Sequence, residues 1–127
     1  MTPNHNFKVL IIDSSKEATE SLSKFFDSMG INSLTTNDSM DGLLKIRQDN
    51  FDAIILDIEM KVISGLGIIE FLAGEDILKN QNIFITSKDK IPEVKLKYLL
   101  RKEGIKGIFK KSIDYDELLT AIFPRFV

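Results

Sequence analysis

The chain has 127 residues, 43% of them hydrophobic, which suffices for one packed core and reads as one domain over residues 1–127. It has no cysteine and one histidine, His5, near the N terminus. Disulfides, thiol catalysis and Cys-based metal sites are thereby excluded, and a His-based zinc site or catalytic triad very nearly so. No run approaches the roughly 18 consecutive apolar residues of a membrane span. Met1 to Asn6 lack the charged and apolar regions of a secretion signal, and the lack of cysteine fits a cytoplasmic location.

Strand and helix signals alternate along the chain, the pattern of a parallel sheet with helices on both faces. Val9 to Ile12 form an apolar run ending at Asp13. Ser14 or Ser15 then caps a helix running to about Met29. Its residues Ala18, Leu22, Phe25, Phe26 and Met29 recur at helical spacing, and Gly30 stops it. Ile31 to Thr35 is a weak strand, and Asn37, Asp38 and Ser39 lead into a short helix through Leu43, Leu44 and Ile46. Ala53 to Leu56, apolar on both faces, predicts a central strand ending at Asp57. A loop over Ile58 to Ser64 reaches Gly65 and a helix around Leu66 to Leu72, and Ile83 to Ile85 run into Thr86. Pro92 suits the first turn of the next helix, with Val94, Tyr98 and Leu99 inward and Glu93 supporting Lys97. Gly104 ends that helix, and Ile105 to Phe109 lead to Lys110 and Lys111. Asp114 caps a last helix carrying Leu118, Leu119 and Ile122, closed by Pro124. Phe123 to Val127 read equally as a natural end or as the start of a linker.

Residues 88–111 hold nine basic side chains against three acidic ones, a local charge of +6. The whole chain is -2, so the remainder carries -8. A solvated helix face and a docking surface for an acidic partner both fit this segment. Direct nucleic-acid binding does not, since only Tyr98 and Phe109 interleave with the basic residues.

The apolar runs thus end in residues that can handle a phosphoryl group: Asp13, Asp57, Thr86 and Lys111. Ligands of an open parallel sheet bind in the crevice outside the carboxyl ends of its strands, so these groups meet at one rim. Phosphoryl transfer needs positioning and charge neutralisation more than covalent assistance. Asp57 is the hardest of the four to dismiss, because a polar residue closing a fully apolar strand is unfavourable without a purpose. Lys111 supplies positive charge to the transferred oxygens, and Thr86 a hydrogen bond. Asp13 and Asp57 repel each other unless a divalent cation lies between them, and magnesium suits oxygen ligands with a mostly aqueous shell. Singly, each residue has a plainer role: Asp13 can cap a helix, Thr86 close a strand, and Lys111 lie on the surface.

On these residues the chain resembles the receiver domain of two-component response regulators, from Lys8 to about Phe123. The likeness rests on Asp13 after the first strand, Asp57 in Leu56-Asp57-Ile58-Glu59-Met60, Gly65 eight residues on, and Thr86 and Lys111 at later strand ends. It implies a flavodoxin-like, doubly wound five-stranded parallel sheet of order 2-1-3-4-5 with five helices. It implies a phosphoryl group taken from a histidine kinase or phosphotransfer protein onto Asp57 and read by a downstream effector protein or an output domain. The domain would be a signalling phosphoacceptor and not an enzyme, at most catalysing its own phosphorylation and dephosphorylation. Magnesium would be held by Asp13, Asp57 and the backbone carbonyl of Glu59.

Several positions depart from the family pattern. The second acid usual after the first strand is Ser14. With Lys111 counted, the site charge is about -1 instead of the usual -2, which should weaken cation binding. Glu59 can offer a compensating carboxylate or pair with Lys88 over the site mouth. The usual prolines after the last lysine and after the methionine of the third-strand loop are Ser112 and Lys61. A cis bond before a non-proline residue costs roughly 2.5 to 4 kcal/mol, so a trans Lys111–Ser112 peptide is expected and the direction of Lys111 is left open. Ile108 stands at the usual aromatic switch position, and Phe109 points to the opposite sheet face. Thr86 and Lys111 are about three residues further apart than in typical members, which puts extra chain in the fourth helix or its loops.

These departures keep a second use open, a pseudo-receiver serving as a phosphorylation-independent protein-interaction module. A flavin-phosphate binder is disfavoured because Asp13-Ser14-Ser15-Lys16 has no glycine to let backbone amides approach. An aspartate-nucleophile phosphatase is disfavoured because the chain is too short for a cap domain, although Glu59 follows Asp57 at acid/base spacing.

Overall fold

The computed structural model describes residues 7–124, so His5 and everything from residue 125 onward lie outside the described residues. Five strands, β1 (Lys8–Ile12), β2 (Asn32–Thr36), β3 (Ala53–Asp57), β4 (Ile83–Ser87) and β5 (Ile105–Lys110), alternate with five helices. The helices are α1 (Lys16–Ser28), α2 (Ser39–Gln48), α3 (Gly65–Gly74), α4 (Glu93–Leu100) and α5 (Tyr115–Ile122). Neighbouring strands are parallel in the order β2-β1-β3-β4-β5, the doubly wound arrangement that the sequence implies.

Successive side chains of a strand point to opposite faces, and this sorts the core into two layers. Leu10, Ile12, Ile54, Leu56 and Ile85 pack with Leu43, Ile46, Ile68, Leu72 and Leu99 from α2, α3 and α4. Val9, Ile11, Ile55 and Phe84 pack with Leu22, Phe26 and Leu118 from α1 and α5. All residues of β3 and β4 are buried, which is why both read as continuous apolar runs. Each fully buried Leu, Ile or Phe contributes about 1.5–3 kcal/mol. A one-residue slip would send every such side chain to the wrong layer, so the register is fixed.

Polar side chains set the starts of four helices, while α4 follows Pro92 without a side-chain cap. Ser15 caps α1 by accepting from Ala18 N–H at 3.2 Å, Asp38 caps α2 through Met40 N–H, and Asp114 caps α5 through the amides of Asp116 and Glu117. Ser64 does the same for α3 through Gly67 N–H at 3.0 Å. Gly104 enters β5 at φ +106, where a Cβ would lie 2.1 Å from Leu78 O.

Three inward assignments need correction. Met29, grouped with the apolar stripe of α1, is the exposed C-cap residue. On α4, Leu99 is fully buried, but Val94 is 83% exposed and Tyr98 lies on the surface, its hydroxyl donating to Glu70 Oε1 at 2.7 Å. Apolar residues at 94, 96, 98, 99 and 100 offer several stripes, and the helix packs into the core through Leu99, with Leu96 half-buried. The Glu93–Lys97 pair does form, at 3.3 Å. Ile108 and Phe109 pack on opposite faces as expected, Phe109 with its ring centroid 6.5 Å from that of Phe84.

Candidate functional site

β1, β3 and β4 end at one rim. Register pairs Ile12 with Leu56 and Asp57 with Thr86, so Asp13, Asp57 and Thr86 leave the sheet side by side. All three are buried, at 3%, 2% and 1% exposure. Asp13 is fixed by its own turn: its N–H donates to Thr36 O at 3.1 Å, and its Oδ1 accepts from Ser15 N–H at 2.9 Å. Asn37 Nδ2 donates to Asp13 O at 2.8 Å and to Thr19 Oγ1 at 3.2 Å, tying that turn to α1. Asp57 Oδ1 accepts from Glu59 N–H at 3.0 Å. Beyond it the loop folds back, and Gly65 N–H donates to Ile58 O at 3.0 Å. A Cβ at Gly65 would stand 2.5 Å from Ile58 Cα and 2.6 Å from Asp57 O, so glycine alone lets α3 begin this close to Asp57.

Lys111 reaches the rim from β5, with its backbone N–H donating to Ser87 O at 2.8 Å. Its Nζ lies 2.8 Å from Asp13 Oδ2 and 3.4 Å from Asp57 Oδ2. Each carboxylate therefore has one oxygen on a backbone amide and the other on a shared ammonium. The Lys111–Ser112 peptide is cis, which corrects the trans bond expected from sequence. That expectation weighed the isolated amide, whereas the folded chain as a whole sets the isomer.

Burial pushes the Asp57 carboxyl above the ordinary carboxylate range, and the Asp13 charge adds to the effect. The Glu59 N–H and Lys111 offset this in part. For Lys111, burial acts to lower the ammonium value, but the hydrogen bonds and charges of Asp13 and Asp57 prevail and raise it. Thr86 Oγ1 is buried with no hydrogen-bond partner, which costs about 1–3 kcal/mol for a buried polar group. It is a donor ready for an oxygen acceptor placed beside Asp57. A cleft of about 330 Å³ between α1 and the start of α5 has Asp13 and Lys111 in its lining.

Glu59 does not make good the missing acid at Ser14. Its Oε1 accepts from Lys88 N–H at 2.6 Å and its Oε2 from Asp89 N–H at 3.2 Å. It meets Lys88 through the backbone, where the sequence suggested an ion pair or a carboxylate turned to the metal. Burial acts to raise the Glu59 carboxyl, but these amides outweigh it and hold the group below its ordinary value. Among the described residues, no group of three or more His, Cys, Asp or Glu is placed to hold a metal ion. Asp13 and Asp57 nevertheless fit magnesium, which binds through one or two carboxylates and keeps most of its water. The raised Asp57 carboxyl records the desolvation and repulsion that a divalent charge would relieve. Asn37, Ser87 and the Glu59 bonds escaped the sequence reading, since only turn composition marks their loops and nothing there shows which backbone group they meet.

A family model for the response regulator receiver domain matches residues 9–123. Among solved structures, the receiver domain of the Francisella response regulator 1452 is 26% identical, with 92% of this chain and 93% of that chain covered and a TM-score of 0.80. A response regulator receiver protein from Pseudomonas putida is 21% identical, with 94% and 97% covered and a TM-score of 0.82. The chemotaxis protein CheY4 of Vibrio cholerae is 24% identical, with 93% and 97% covered and a TM-score of 0.79. The latter two bear on the fold alone. No curated protein matches the chain. Among the described residues, no helix is long and apolar enough to cross a membrane. With its two-layered core, the strand order and a family match spanning β1 to the end of α5, the chain belongs to the response regulator receiver domains of two-component systems.

Proposed function

We propose that this chain is a phosphoacceptor, taking a phosphoryl group from a phosphohistidine of a histidine kinase or phosphotransfer protein onto Asp57. The observation that carries the reading is the meeting of an ammonium and a partnerless buried hydroxyl at the carboxylate closing the central strand. Asp57 Oδ2 attacks phosphorus, the P–N bond breaks, and the imidazole leaves with the electron pair and takes a proton from solvent, giving an acyl phosphate. Lys111 swings from Asp57 Oδ2 to the incoming oxygens and remains their counter-charge. Thr86 donates its hydroxyl to one of those oxygens and so gains the partner it lacks at rest. Asp13, Asp57 and the Glu59 carbonyl would hold magnesium, which when bound neutralises charge on the phosphoryl oxygens. The switched surface then engages a downstream effector or output domain, and donor and acceptor share the cytoplasm.

The test is direct. Purified protein given magnesium and a small phosphodonor should gain one phosphoryl group by mass, and Asp57→Ala should gain none. Absence of the gain with both a donor and a cognate kinase refutes the reading. A second reading, an interaction module without phosphotransfer, is favoured by the near-complete burial of Asp57 beneath Lys111 and by the neutral Ser14. The same assay separates the two.

A further inference from the structure

The carboxylate of Glu59 does something that neither phosphotransfer nor metal binding calls for. From the loop between β3 and α3 it reaches across the mouth of the site and takes the N–H of Lys88 on one oxygen and that of Asp89 on the other. Those two residues begin the loop between β4 and α4, directly after Thr86 and Ser87. Both are exposed, so no buried side chain of theirs anchors the turn. Other bonds hold its start. Ile58 N–H donates to Thr86 O at 3.0 Å, and Lys111 N–H to Ser87 O at 2.8 Å. Ser87 Oγ donates to Asp89 O at 2.5 Å, a bond within the turn itself. The Glu59 pair is the charged part of this set, and bonds to an ionised acceptor are roughly twice as strong as neutral ones.

We infer that Glu59 is a positioning residue, a latch joining the two loops that flank Asp57 and setting the resting conformation of the β4–α4 loop. With both oxygens engaged in this way, its side chain is not a metal donor. The inference deepens the phosphoacceptor reading and rests on it for its place in signalling. The loop so held leads from the Thr86 hydroxyl to α4, and through it a shift at Thr86 reaches the exposed Val94, Tyr98 and Leu100 of that helix.

The experiment uses the whole chain, uniformly labelled, with amide hydrogen exchange read by NMR for wild type, Glu59→Ala and Glu59→Gln. In Glu59→Ala the Lys88 and Asp89 amides should exchange roughly tenfold faster or more, while those of β3 and β4 stay unchanged. Glu59→Gln keeps one carbonyl acceptor and should fall between the two, which general loosening of the fold would not produce. Magnesium added to the same samples should bind wild type and Glu59→Ala within about threefold of each other, since a lost ligand costs tenfold or more. Unchanged exchange at Lys88 and Asp89 overturns the latch, and a tenfold fall in magnesium affinity overturns the exclusion of the side chain as a donor. Failure of the chain to take a phosphoryl group would remove the signalling role and leave the exchange result to decide the latch by itself.

Discussion

Replacing Lys111 with methionine should tighten magnesium binding. The Lys111 Nζ occupies Asp13 Oδ2 at 2.8 Å and Asp57 Oδ2 at 3.4 Å, the two carboxylate oxygens that do not accept from the amides of Ser15 and Glu59. A cation settling between the two carboxylates must first break the ammonium contacts. Charge-assisted hydrogen bonds contribute about 1.5–3 kcal/mol when buried. The Lys111 side chain is 24% exposed, so the lower part of that range applies, about 1.5–2 kcal/mol. Relief of this competition corresponds to about 10–30-fold tighter binding. Removing the ammonium also leaves Asp13 and Asp57 repelling each other, which pulls in the same direction. Methionine preserves the unbranched stem, so packing is little changed. Calorimetric titration with magnesium at fixed ionic strength reads the effect, with Lys111→Arg as the variant that keeps the charge and stays near wild type. Equal or weaker binding by Lys111→Met would mean that Lys111 assembles the carboxylate pair and does not compete for it, and the reasoning would be wrong.

Ser14→Asp should also tighten magnesium binding, by tenfold or so, because it adds a carboxylate beside Asp13; an unchanged titration would show that position 14 does not face the metal. Asp57→Asn should stabilise the fold at pH 7 without divalent cations. Burial, aided by the Asp13 charge, raises the folded Asp57 carboxyl, so its protonated form favours folding. That contribution is full below about pH 4 and is lost as pH rises through the raised folded value. The advantage of Asn should therefore shrink on acidification, and thermal melts showing it absent at pH 7 or larger in acid would contradict the assignment. Val62→Gly should raise the melting temperature by about 2–4 °C. Val62 sits at φ 69 and is 91% exposed, so a β-branched residue bears roughly 1–2 kcal/mol of left-handed strain with no packing in return. The greater unfolded-state freedom of glycine offsets about 0.4–1 kcal/mol of that. An unchanged or lower melting temperature counts against the strain.

The rim was legible because central parallel strands are apolar on both faces, so the first polar residue marks the exit of the chain. Asp13, Asp57 and Thr86 announce themselves in this way. The edge strand β2, four of whose five residues are not buried, gives the weak signal that such solvation dictates. Side-chain direction was harder. On α4, apolar residues crowd most of the helix and periodicity cannot choose between 94–98 and 96–99. Lys111 ends a flexible four-carbon stem, and no neighbour in sequence tells it to bridge two carboxylates. The partners of Glu59 are backbone amides 29 and 30 residues away, and a backbone amide leaves no mark on the sequence that would point to them.

The departures at the rim converge on one quantity, the charge facing an incoming phosphoryl group. Ser14 contributes none, Glu59 is turned to the β4–α4 loop, and Asp13 with Asp57 is met by a single ammonium. The resting site is thus closer to self-neutral than one carrying a third acid, and its pull on a divalent cation is correspondingly weaker. A phosphoryl group on Asp57 reverses the balance by adding negative charge where Lys111 and the Thr86 hydroxyl can both answer it. On the proposed reading, then, affinity for magnesium should be low before phosphoryl transfer and rise with it. Phosphorylation of this chain should consequently depend on magnesium concentration more steeply than it does once Ser14→Asp supplies the third carboxylate.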